Sequence, residues 1–82
     1  MIELQETAAM MCSADYKERF RAEYHQLNTR LTKLKAMLAK WDKGELNFNP
    51  ECPRSIYSIQ VSSMEEYKAV LEARAAIEKV EL

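Results

Sequence analysis

The sequence predicts an all-α fold, an antiparallel hairpin of two long helices, and three features carry that prediction. Seven apolar residues, Phe20, Tyr24, Leu27, Leu31, Leu34, Leu38 and Trp41, recur at strict 4,3 spacing, the period of one helix face. A second stripe of the same spacing, Gln60, Met64, Tyr67, Leu71 and Arg74, follows after a loop. One glycine and two prolines supply too few turns for an all-β chain. The 82 residues make one domain, 1–82, with a helix over about 14–42, a loop over 43–52 and a helix over about 53–79. A chain this short buries too little surface for a wide stability margin, so assembly into a homo-oligomeric helical bundle is expected.

Residues 1–12, MIELQETAAMMC, suit a short N-terminal helix with Ile2, Leu4 and Met11 as apolar contacts, while Met10 and Met11 also suit alternative starts. Both readings stay open. Ser13 reads as the N-cap of the first long helix, and Asp15 and Glu18 put negative charge where the unpaired N–H groups favour it. That helix spans ~43 Å at 1.5 Å per residue, too long for a compact globule unless the chain doubles back or assembles. Lys40 and Lys43 suit its carbonyl end, and Gly44 its left-handed stop. In the connector ELNFNPEC, Asn47, Asn49 and Pro50 form turns, while Leu46 and Phe48 are expected to fold back onto the helix ends. Pro53 opens the return helix, where its missing N–H costs nothing. Ser62 with Glu65, and Ser63 with Glu66, match a capping box, but the apolar face runs through them, so one helix with a kink near Ser62 is expected.

A net charge of −1, with both signs interspersed, provides no field for duplex nucleic acid or an anionic membrane. No apolar run approaches the ~20 residues of a membrane span, and the N-terminus lacks the form of a secretory signal, so a cytosolic location is expected. Cys12 and Cys52 form no CxxC pair, which argues against a disulfide or thiolate metal site.

Enzymatic patterns are sparse. His25 is the only histidine and has no ligand-spaced company, so it reads as an exposed helix residue; no metal or cofactor is expected. One glycine rules out the phosphate-binding glycine motifs, and no serine sits at a nucleophile elbow. An enzyme is not expected.

Binding chemistry is better represented. Arg30 and Lys33 flank the first seam, and Gln60, Tyr67 and Arg74 interrupt the second. Arginine offers forked donors to phosphate, and tyrosine a flat face plus a hydroxyl. For Arg19, Lys33 and Lys35 a solvated flank is the simpler reading, since long cationic chains cover apolar edges. Arg74 is different, because an arginine on an apolar stripe requires a partner or an anionic ligand. Gln60 is balanced between an interhelical hydrogen bond and a ligand contact.

The stretches ERFRAEYHQLNTRLTKLKAML (18–38), LNFNPECP and IQVSSMEEYKAVLEARAAIE (59–78) resemble small phage and prophage proteins. These carry an ER-x3-EY-x2-L-x2-R-x2-KL helix and a Q-x3-M-x2-Y-x3-L-x2-R return helix, and are similar to the anti-CBASS sponges that sequester cyclic oligonucleotide signals. The resemblance implies a homo-oligomer of helical hairpins, up to a hexamer, in the host bacterial cytosol. It implies cyclic di- or trinucleotides bound between protomers without cleavage, or cyclic ADP-ribose-type signals of Thoeris defence. Carried onto this sequence, the pattern nominates Arg30, Lys33 and Arg74 for phosphate, Tyr24 or Tyr67 for base stacking, Gln60 as a polar contact, and Tyr16 as an outside candidate. The competing reading is a helical protein-interaction module, an inhibitor or adaptor that offers its leucine seam to a partner.

Overall fold

Helix boundaries in this chain are set by side-chain and backbone caps that can be followed atom by atom. The computed structural model describes residues 1–82 and contains α1 (Leu4–Met11), α2 (Tyr16–Asp42) and α3 (Arg54–Glu78), with no strand. Asp15, not Ser13, caps α2, its carboxylate accepting the Lys17 N–H at 3.0 Å. A carboxylate satisfies that donor and also complements the positive end of the helix dipole, which a serine hydroxyl does not. Ser13 supports the cap from outside by accepting the Asp15 N–H at 3.0 Å.

The end of α2 falls at the expected glycine. Gly44 has φ 71°, and the Glu45 N–H reaches back to the Lys40 carbonyl at 2.9 Å. A Cβ at Gly44 would meet nothing within 4 Å, so the requirement there is purely one of backbone conformation. Pro53 stands one residue outside α3, as its N-cap, and α3 then runs through Ser62 and Ser63 without interruption. It ends at Lys79, a non-glycine residue with φ 58°, which turns the chain so that the Val80 N–H donates to the Ala75 carbonyl at 2.9 Å and the Val80 side chain enters the core.

Cross-helix pairs fix the topology. Tyr16 meets Glu78, Tyr24 meets Glu72, Lys35 meets Glu65 and Asp42 meets Arg54, so partners descend along α3 as they ascend along α2. α2 and α3 are therefore antiparallel, as expected. Residues of the first seam do face inward: Phe20, Leu27, Leu31 and Leu38 are buried, and Phe20 and Leu27 share one cluster with Leu71, Ala75 and Val80. Tyr24 and Met64 pack against that cluster. The opposite face of α2 is covered by α1. Ala22 and Thr29 are fully buried there beside Thr7, and Thr29 Oγ1 donates to the Ile2 carbonyl at 2.6 Å, so small side chains allow close approach while the hydroxyls find partners.

The second stripe sits differently from the sequence expectation. In α3 the residues withdrawn from solvent are Arg54, Tyr57, Val61, Met64, Lys68, Leu71, Ala75 and Glu78, again at 4,3 spacing, with Arg74 beside Ala75. Of the predicted stripe only Met64 and Leu71 belong to this face; Gln60 and Tyr67 are exposed and Arg74 lies at its edge. The physical reason is that α3 carries two apolar stripes. Its aliphatic side chains Ile56, Ile59, Val70 and Ile77 mark the other one, and Ile59 and Ile77 remain 62% and 80% exposed. Only 10 of 82 residues are buried, so the core of a single chain is small, in keeping with its length.

Candidate functional site

Seven-residue steps bring most of the candidate residues onto one flank of the hairpin. Tyr16, Glu23 and Arg30 recur along α2, and Gln60, Tyr67 and Arg74 along α3. With the helices antiparallel, these become three rungs. At the first, Arg74 Nη2 donates to the Tyr16 hydroxyl at 3.0 Å, Tyr16 donates to Glu78 Oε1 at 2.6 Å, and Arg74 Nε donates to Glu78 Oε2 at 3.1 Å. The guanidinium also lies 4.8 Å from the centroid of the Phe20 ring. At the second rung the Tyr67 hydroxyl donates to the Glu23 carboxylate. The register places Arg30 opposite Gln60 at the third.

The first rung is electrostatically closed. The Tyr16 hydroxyl and then Arg74 hold the Glu78 carboxyl below its usual range, and the Glu78 carboxylate raises both the Tyr16 hydroxyl and the Arg74 guanidinium. Arg74 thus has the partner that its position on the stripe demanded. An anionic ligand would bind there by exchange with Glu78. The third rung is open: Gln60 makes only a 3.8 Å contact to the Met64 sulfur of its own helix, and no hydrogen bond crosses to α2. Arg30 is exposed and enters none of the ion pairs.

Tyr24 lies on the other flank. Its hydroxyl donates to Glu72 Oε2 at 2.9 Å and its ring meets His25 edge to face at 5.3 Å, while burial and then Glu72 push its hydroxyl up. His25 is half-buried rather than exposed, and desolvation, then Arg21 and the N-terminal ammonium, push the imidazole down. No group of three or more His, Cys, Asp or Glu side chains is placed to hold a metal ion.

Lys33 stands 3.7 Å from Glu3, a long pair with both side chains more than half exposed and therefore weak. Alone among the seven candidates it lines a sizeable concavity, of about 370 Å³, between the C-terminal turns of α2 and the connector. Lys33 and the Tyr16–Arg74 rung are about 25 Å apart along α2 at 1.5 Å per residue, so a small ligand in one protomer does not touch both. The sequence reading missed the carboxylates that occupy the three tyrosines, although the Arg74–Glu78 spacing of four was a readable signal. It also missed Phe48 as a surface ring: instead of folding back, Phe48 is 51% exposed at the rim of that concavity.

Comparison with known proteins decides the family. The sequence model of the family described as Sequestin matches residues 14–77, more than three-quarters of the chain. The chain belongs to the Sequestin family. No curated protein and no solved structure matches it. The Sequestin segment takes in α2, the connector and α3 up to Ile77, and with them all seven candidates and the concavity; α1 and Glu3 lie outside it. No helix is long and apolar enough to cross a membrane.

Proposed function

We propose that the protein sequesters cyclic nucleotide second messengers, the cyclic di- or trinucleotides of CBASS or the cyclic ADP-ribose-type signals of Thoeris, and holds them without cleaving them. The observation that carries this reading is the Sequestin match across both long helices. Among the candidate cations Arg30 enters no ion pair and Lys33 only the long contact to Glu3, and both take phosphate, Arg30 with Gln60 opposite it. Tyr16 and Arg74 enter the same pocket from a neighbouring protomer, because one protomer holds them about 25 Å from Lys33, while Tyr24 or Tyr67 stacks a base. The assembly is a homo-oligomer of up to six chains in the cytosol of a phage-infected or lysogenic bacterium. Such a device works by stoichiometry: its dissociation constant must lie below the working concentration of the signal, since nothing is turned over.

Incubating the protein with cyclic di- and trinucleotides and cyclic ADP-ribose isomers, removing free ligand and then boiling the complex tests the reading. Intact ligand returned in stoichiometric amount is the expected result. If none of the compounds is retained, the reading fails.

The exposed Ile59 and Ile77 favour a second reading, an adaptor that offers α3 to another protein. Light scattering separates the two, a tetramer or hexamer favouring sequestration and a monomer or dimer that captures one host protein favouring the adaptor.

A further inference from the structure

Beside Lys33, the concavity of about 370 Å³ is lined by Met37 and Lys40 from α2 and by Glu45, Asn47 and Phe48 from the connector. Its volume falls within the range of small-molecule sites. Its lining combines, within a few residues of one another, the groups that a nucleotide needs. Phe48 offers a half-exposed ring, and every base has a face that stacks on such a ring. Lys40 enters none of the ion pairs, and Lys33 has only the long contact to Glu3 to give up. Asn47 is exposed and presents both an amide donor and an amide acceptor. The Gly44 turn and the Glu45 to Lys40 backbone bond set the direction in which the connector leaves α2, which holds this loop against the lysines.

We propose that this concavity is a nucleotide site within a single protomer, in which the base stacks on Phe48, Lys33 and Lys40 hold phosphate, and Asn47 and Glu45 bond the base edge or ribose hydroxyls. It rests on the reading that the chain holds cyclic nucleotides; Lys33 is common to this pocket and to the one between protomers, while Phe48 and Lys40 belong to this one alone. Glu3 competes with phosphate for Lys33, so ligand entry breaks the Lys33–Glu3 pair and leaves the Thr29 bond to the Ile2 carbonyl in place.

The test is calorimetric titration of the full chain with cyclic di-AMP, a cyclic trinucleotide and cyclic ADP-ribose, for wild type and for Phe48→Ala, Lys40→Ala and Lys17→Ala. Trp41, the only tryptophan, lines an adjoining concavity together with Leu46 and Phe48 and supplies a second signal through its emission. The expected result is at least tenfold weaker binding in the Phe48 and Lys40 variants, unchanged binding in the Lys17 variant near the far end of α2, and a saturable change in Trp41 emission in wild type. Circular dichroism of the exposed-site variants checks that helicity is retained. Wild-type binding that survives both Phe48→Ala and Lys40→Ala overturns the pocket and leaves sequestration standing. Failure of the wild type to bind any of the three overturns both.

Discussion

Glu78 accepts from both Tyr16 and Arg74, so one carboxylate sets the charge state of the rung that joins the two ends of the hairpin. Its pKa in the fold lies below the ordinary 4.5, chiefly through the Tyr16 hydroxyl. A depressed carboxyl binds protons less readily folded than unfolded. Its stabilising contribution is therefore present above the unfolded value and is lost as pH falls through the folded one. Asp42 behaves alike through Arg54, from an ordinary value of 3.8. Thermal melts from about pH 7 to about pH 3 are expected to show a falling midpoint below roughly pH 4.5, with a shallower fall in Glu78→Gln. Equal slopes in the two proteins would mean that the rung contributes nothing to the folded state. The sequence showed Arg74 in need of a partner, and Glu78 one turn away was the partner at hand. Tyr16 was not legible as the third member, because it lies 58 residues from Arg74 and only the hairpin register joins them.

At the scale of the element, the ends of α2 and α3 use the same device with different residues. Both close with a backbone bond across five residues, Glu45 to Lys40 and Val80 to Ala75, and both need a left-handed residue just before it. Gly44 meets that need without steric cost, whereas Lys79 holds φ 58° with a Cβ in place. Burial of Val80 in the main cluster is what holds Lys79 there. Lys79→Gly is thus expected to raise stability by about 0.5–1 kcal/mol in urea unfolding, the relief of left-handed strain less the added freedom of the unfolded chain. A loss of stability would show that the Lys79 side chain, not its backbone, matters. Glycine made the first stop readable, and its absence hid the second.

For the whole molecule, the arrangement of apolar faces is the governing fact. α2 is covered on two sides, by α1 and by α3, while α3 is covered on one. Its outer stripe of isoleucine and valine has the composition of a packed face and no element of this chain against it. Burial of that stripe in an assembly predicts that Ile59→Lys combined with Ile77→Lys lowers the mass seen by light scattering while helicity is retained. A wild-type chain that is already monomeric would contradict the expected assembly.

The sequence by itself determined the all-α class, the two long helices, the Gly44 stop and the inward seam from Phe20 to Leu38, because spacing along one helix specifies a face without reference to any other element. Only the tertiary structure decided which of the two apolar stripes of α3 meets α2, since both satisfy the helical period and the choice depends on how the helices dock. That docking turned Gln60 and Tyr67 outward and closed Arg74 onto Glu78. It left Arg30 open, and the connector placed Phe48 beside Lys33 and Lys40, where a ring thought to cover a helix end instead forms the rim of a pocket.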